Sequence, residues 1–346
     1  MVLAASGTDT ELFALALRHL GGAADRPICN ILIAPEETGR GVPMAARGLH
    51  FAVDTALGHD VTFQAPVAGF RPDTALVNIS LRGADGALRE VAQIEAEIEA
   101  AVRDALAAGR RVILHALDLS KTGLLAPSPD FLRRLRAEQG DAVDLVVDAC
   151  QARLSPASLR HYLALDAVVL ITGSKFLTGP PFAGAAILPP AIAARLATGT
   201  LPEGLAAYFG RHEFPPRCHA ARLLPAVGNV GLALRWHAAL AELRAFLRTP
   251  AERRLAILQG FEACVRREIA RYPALALIEP PPVARGAADE AWERCPTIFT
   301  FSLRGPHAPQ RCLTPEEARR VYLWLNTDLS ELLPAAAAVA ARICHI

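Results

Sequence analysis

Two periods alternate in the apolar positions of the chain and predict an ordered succession of strands and helices. Ile94, Ile98, Val102 and Leu106 recur every four residues and predict a helix over 90–107, with Gly109 beyond its end. Related patterns predict helices over 9–20, 43–57 and 128–138, and a shorter one near 156–163. The first reads as opened by a Thr8/Glu11 capping box and stopped by Gly21-Gly22; the second begins near Pro43. Apolar runs at 31–33, 111–117, 143–148 and 166–172 predict buried strands, and 60–64, 75–82 and 183–188 predict extended segments, with a turn at Gly83–Gly86. Strands alternating with helices imply an α/β fold: a mostly parallel seven-stranded sheet with helices on both faces.

The pattern changes near residue 225. A long helix over 229–247 breaks at Thr249-Pro250 and resumes through 251–271. Short strands at 275–279 and 297–303, a loop at Pro280–Pro282 and a helix at 315–325 follow, and Ala335–Ala341 reads as a helix face. The expected organisation is a large α/β domain over 1–224 and a smaller α+β domain over 225–346 with a long connecting helix.

Composition narrows the function classes. Hydrophobic residues make up 52% and charged residues 21%, enough for a substantial core. A net charge of +1 gives no electrostatic case for nucleic acid or a membrane surface, and no apolar run approaches a bilayer span. The seven cysteines form no CxxC pair, and His115, His212 and His219 show no ligand spacing, so neither a disulfide framework nor a metal site is expected. With no secretory signal in the sequence, a cytoplasmic setting is the expectation. Among 36 basic residues only Lys121 and Lys175 are lysines. Arginine cannot serve as a neutral amine, so these two are candidates for amine chemistry.

Candidate chemistry concentrates in 146–189. Asp148 stands where a buried strand ends, and Lys175 follows the next strand within Thr172-Gly173-Ser174-Lys175. Successive strand ends thus deliver a carboxylate and an amine to one edge of the sheet. This pair suits pyridoxal-phosphate chemistry: a lysine condenses with the cofactor aldehyde, and a carboxylate keeps the pyridine nitrogen protonated. Ser6-Gly7-Thr8, just before the first helix, offers a phosphate site at a helix N-terminus, with hydroxyls from Thr172 and Ser174. Plainer roles stand beside these: Thr8 as a cap, Asp148 as a structural carboxylate, Thr172 and Ser174 as turn residues, Lys121 as a loop charge and the cysteines as small core residues. Gly39-x-Gly41 hints at a dinucleotide loop, but Pro43 and Met44 spoil the pattern.

Asp148-x-x-Gln151, Thr172-Gly-Ser-Lys175 and the following GPPFAG resemble the class V aminotransferase group of fold-type I pyridoxal-phosphate enzymes, which includes cysteine desulfurases and kynureninase-like enzymes. The resemblance covers roughly residues 5–330, with specific motifs at 6–8, 118–123 and 148–184. It implies a Schiff base on Lys175, Asp148 facing the pyridine nitrogen and Gln151 contacting the phenolate oxygen. It implies phosphate contacts from Gly7, Thr8, Thr172 and Ser174, and places Asp118 and the rest of loop 118–123 near the ring. Glu37-Thr38-Gly39 falls where the group stacks a residue over the ring, but holds no aromatic. The histidine common before the lysine is Ser174 here, and both ends look clipped relative to the group. The implied protein is a homodimer acting on an amino-acid substrate, with an aminotransferase-type reaction. Alternatives are a lyase, desulfurase-like or decarboxylase, and a non-catalytic relative of the fold.

Overall fold

The computed structural model describes residues 1–20, 26–216, 218–279, 281–286, 289–305 and 308–327. Gly21-Gly22, Pro280 and Ala335–Ala341 therefore lie outside the described residues. By compactness the chain divides into Met1–Leu258 with Pro281–Pro296, and Gln259–Pro280 with Thr297–Ile346.

The first unit is built on one sheet. Its elements are β1 (Val2–Ala4), α1 (Gly7–Ala16), β2 (Ile28–Ile33), α2 (Val42–Ala45), β3 (Ala75–Ile79), α3 (Val91–Ala107), β4 (Arg111–Asp118), β5 (Leu125–Ala126), α4 (Pro129–Gln139), β6 (Val143–Asp148), α5 (Pro156–Ala164), β7 (Val168–Thr172), β8 (Gly184–Ile187), α6 (Pro190–Thr198) and α7 (Val230–Arg248). The strand order is β1-β8-β7-β6-β4-β2-β3, with β5 paired to β4. Strands β7, β6, β4, β2 and β3 are parallel; β8 runs antiparallel to β7, and β1 antiparallel to β8.

Alternation along the central strands feeds two cores. Ile113 and Val146 pack with Leu12, Phe13 and Leu15 of α1, whereas Val112, Leu114, Val143, Leu145 and Val147 pack with Ile94 and Ile98 of α3 and with Leu132 of α4. Residues one apart on a strand point to opposite faces, so a sheet covered on both sides needs continuous apolar runs. Helix starts follow capping chemistry. Ser128 and Ser155 cap α4 and α5, each followed by proline at the first helical position.

The structure corrects three readings. Thr8 does not cap α1; extended Ser6 does, its Oγ accepting from Asp9 N at 3.2 Å. The helix over 43–57 is a single turn, Val42–Ala45, because Gly48 adopts a φ of +71° that turns the chain out of the helix. Residues 60–64 form no strand and contribute only the bridge between Asp54 and Asp60. The seventh strand of the main path is instead β1, too short to declare itself by alternation.

Helix α7, assigned by its sequence to the small domain, packs with the sheet: Trp236 is buried and its Nε1 donates to Gly184 O at 3.0 Å. The second unit takes in the end of α8 (Ala251–Ala270), β9 (Leu275–Ile278), β10 (Thr300–Gly305), β11 (Ala308–Cys312) and α9 (Pro315–Leu325). Its strands form an antiparallel sheet ordered β11-β10-β9.

Candidate active site

Five segments of the first unit meet around a cavity of about 270 Å³. They are the start of α1 (Ser6, Gly7, Thr8), the loop after β2 (Glu37–Gly39), the loop after β4 (Leu119–Lys121), the end of β6 (Asp148–Gln151) and the turn after β7 (Thr172–Lys175). Of the residues picked out by sequence, Gly7, Thr8, Asp148, Gln151, Thr172, Ser174 and Lys175 all line it. Both lysines of the protein are in its wall.

Close approach of backbones creates the cavity. A Cβ on Gly7 would stand 2.8 Å from Cys150 Sγ, so only glycine lets α1 start this near the end of β6. The Lys175 turn is tied by Gly173 N to Ala183 O (2.7 Å), Gly179 N to Gly173 O (2.9 Å) and Thr178 N to Lys175 O (2.9 Å). Phe176 N donates to Gln151 O at 3.3 Å, linking this turn to the Asp148 loop. Four non-glycine residues in these loops hold positive φ: Leu119 at 61°, Ala152 at 52°, Thr178 at 53° and Phe182 at 66°. Such conformations cost roughly 1 kcal/mol or more each and persist where the surroundings impose them.

Asp148 is pushed above the usual carboxylate range, first by burial; Cys150 N donates to its Oδ1 at 3.1 Å and partly relieves this. The Cys150 side chain also hydrogen-bonds to this carboxylate. Lys175 is exposed to the cavity, and no hydrogen bond or ion pair holds its ammonium among the described residues. Thr172 is committed locally, its hydroxyl donating to Cys150 O at 2.6 Å. Burial, then the charge of Asp148, holds the Cys150 thiol well above its ordinary value, so it stays protonated.

Beneath Asp148 lies a group that sequence reasoning missed. His115 Nδ1 stands 3.0 Å from Glu11 Oε1, and its Nε2 is 2.8 Å from Asn30 Oδ1. Asn30 Nδ2 donates to Ala46 O, so Asn30 Oδ1 faces the imidazole as an acceptor and Nε2 donates. Register explains the placement. His115 pairs with Val146, and Leu117 with Asp148, so His115 and Asp148 share a sheet face. The pairing of β4 with β6, which no local pattern announces, is what puts His115 on the Asp148 face.

The same register keeps Asp118 out of the cavity. One position beyond Leu117, it faces the other side, where Arg285 Nε and Nη2 donate to its carboxylate at 2.7 and 2.5 Å and Tyr162 donates at 2.7 Å. Asp118 therefore supports the loop from behind. Glu37, expected in a ring-facing segment, is a tether. Burial raises its pKa, but hydrogen bonds from Ser120, Thr122 and Arg82 outweigh that and hold it below the usual range.

No protein-family model and no curated protein matches the chain. Solved structures do. Mouse CSAD aligns with a TM-score of 0.55 at 14% identity, covering 99% of this chain and 63% of that one. The cystine C-S lyase C-DES, in complex with cysteine persulfide, aligns at 0.51 and 16%, covering 88% and 68%. Tryptophan decarboxylase from Catharanthus roseus aligns at 0.50 and 15%, covering 94% and 59%. The chain thus has the architecture of fold-type I pyridoxal-phosphate enzymes and spans about three fifths of the length of mouse CSAD.

Proposed function

We propose that this chain is a pyridoxal-phosphate enzyme acting on an amino acid, with Lys175 as the amine that holds the cofactor. The observation that carries the reading is one cavity walled by a lysine without an ion pair, a half-buried carboxylate and the N-terminus of α1. The residues present fit the group. A protonated ring nitrogen would give the Asp148 carboxylate a charged donor and offset the burial of its charge. The α1 N-terminus offers backbone N–H groups to a phosphate, with hydroxyls from Thr8 and Ser174. Gln151 provides an amide for the ring's oxygen substituent.

When bound, the cofactor supplies an electron sink that stabilises negative charge at the substrate Cα. The chain's own part is to hold the ring charge through Asp148 and to move a proton at that Cα through Lys175 Nζ. An aminotransferase-type reaction is the reading we favour within this class. A desulfurase needs a cysteine free to attack sulfur, whereas Cys150, which lines the cavity, is half-buried against the start of α1 and hydrogen-bonded to Asp148. Decarboxylation is the second reading, because one of the aligned structures, covering 94% of this chain, is named a decarboxylase. A cytoplasmic homodimer is the setting we infer, and no described helix is long and apolar enough to cross a membrane.

Protein supplied with pyridoxal phosphate is expected to turn yellow, and borohydride is expected to fix the cofactor to the peptide bearing Lys175. A colourless protein, or an adduct confined to Lys121, overturns the reading. Amino-acid mixtures then separate the reactions: keto-acid formation marks transamination, and release of carbon dioxide marks decarboxylation.

A further inference from the structure

We propose that Lys121 receives the carboxylate of the substrate, which makes that substrate an amino acid rather than a simple amine. The inference rests on the cofactor reading above and names the group that the reading leaves without a task. Only two lysines occur in the chain, arginine serving wherever else a side-chain positive charge stands, and both line this one cavity. The cavity's charged side chains are Glu37, Lys121, Asp148 and Lys175. Glu37 is matched by Arg82 at 2.8 Å and by two hydroxyls. Asp148 is assigned to the ring nitrogen and Lys175 to the aldehyde. Lys121 remains as a cation with no ion pair among the described residues, the nearby Glu37 charge being already committed to Arg82.

Its position is fixed. The backbone N of Lys121 donates to Glu37 O at 3.3 Å, and its Nζ donates to Thr38 O. Its neighbours Ser120 and Thr122 both bind the Glu37 carboxylate. An ammonium has three donors, so two stay available to an anion after the Thr38 contact. Burial, then the charges of Lys175 and Arg40, press its pKa below the usual lysine range, only partly opposed by Glu37, and a bound carboxylate would offset the remaining cost. The cofactor phosphate has its own donors at Gly7, Thr8 and Ser174. The unassigned anion is then the substrate's.

Two lysines allow a direct test. Protein labelled with ¹³C at lysine Cε gives two side-chain signals, assigned with Lys121→Arg and Lys175→Arg. In the cofactor-loaded protein, propionate is expected to move the Lys121 signal saturably, while neutral propionamide leaves it in place. Lys121→Met is expected to weaken propionate binding about 10-fold or more, the usual worth of a charge-assisted hydrogen bond. Lys121→Arg is expected to restore most of that affinity, and both variants should keep the yellow colour and the borohydride adduct at Lys175. A Lys121 signal unmoved by propionate overturns the proposal. So does a Lys121 signal that moves with inorganic phosphate in cofactor-free protein while Lys121→Met loses cofactor affinity, since the cation would then serve the phosphate. Failure of the Lys175 adduct in the unmutated protein counts separately, against the cofactor reading.

Discussion

Strands β2 and β9 are both short apolar runs, Ile-Cys-Asn-Ile-Leu-Ile and Leu-Ala-Leu-Ile, yet all six residues of the first are buried and none of the second. The difference is position. β2 lies between β3 and β4 in a sheet with packed side chains on both faces, whereas β9 is an edge strand of the three-stranded sheet. The contrast extends to helices. α1 buries eight of its residues, while α9, with a clear apolar stripe, buries none among the described residues. Apolar composition is therefore a permission, and the layers around an element decide how much stability it yields. The candidate site belongs wholly to the doubly covered sheet, where strand ends are held rigidly enough to place side chains.

The largest test concerns a segment that crosses this division in sequence. Residues 281–296 return to the first unit, and Arg285 is held there in the buried pair with Asp118. Arg285→Ala leaves that carboxylate buried without its cation and is expected to cost about 3–5 kcal/mol in urea unfolding. A loss under 1 kcal/mol would mean that the segment is not fastened there. Next, Leu114→Ala removes a fully buried side chain from the centre of the sheet and is expected to cost about 3 kcal/mol. The matched change on α9, Trp324→Ala, touches a residue 55% exposed and is expected to stay within about 0.5 kcal/mol. Equal effects at these two positions would erase the contrast.

A pH dependence provides a finer test. Burial raises Asp9 to about 6 from an ordinary 3.8, its hydrogen bonds with Ser6 only partly opposing this. The folded state then holds a proton that the unfolded chain has released. Stability from this group is full below about pH 3.8 and is lost as pH rises towards 6. Asp9→Asn is expected to flatten that fall, by on the order of 2 kcal/mol, in unfolding curves taken between pH 4 and 7. An unchanged slope would show that α1 does not enclose its carboxylate as described. A helix cap gives a further, modest effect at the start of α7, where Asn229 Oδ1 accepts from Leu232 N at 2.8 Å. Asn229→Ala should cost about 1 kcal/mol in thermal unfolding.

Much of this was legible because it is local. The four-residue spacing of Ile94, Ile98 and Val102 predicts α3, and strand 143–148 and helix 315–325 are found with those limits. The convergence of Asp148 and Lys175 followed from strand ends in a parallel sheet, a rule of topology readable from order alone. What failed was non-local. Nothing near Asp118 announces an arginine 167 positions away, and its strand-end setting looks like that of Asp148. Only the register of β4 against β6 separates them, because one position of offset reverses the face. His115 was passed over for the same reason in reverse: its partners come from α1 and β2, far along the chain.

The scarcity of lysine has a consequence for reactivity. An aldehyde diffusing over most proteins meets dozens of side-chain amines and forms transient adducts with many of them. Here both side-chain amines stand in the same wall, so apart from the α-amine of Met1 the protein offers carbonyl compounds one address. With that α-amine blocked, amine-directed acylating or aldehyde reagents should act on it as site-directed probes of the cavity.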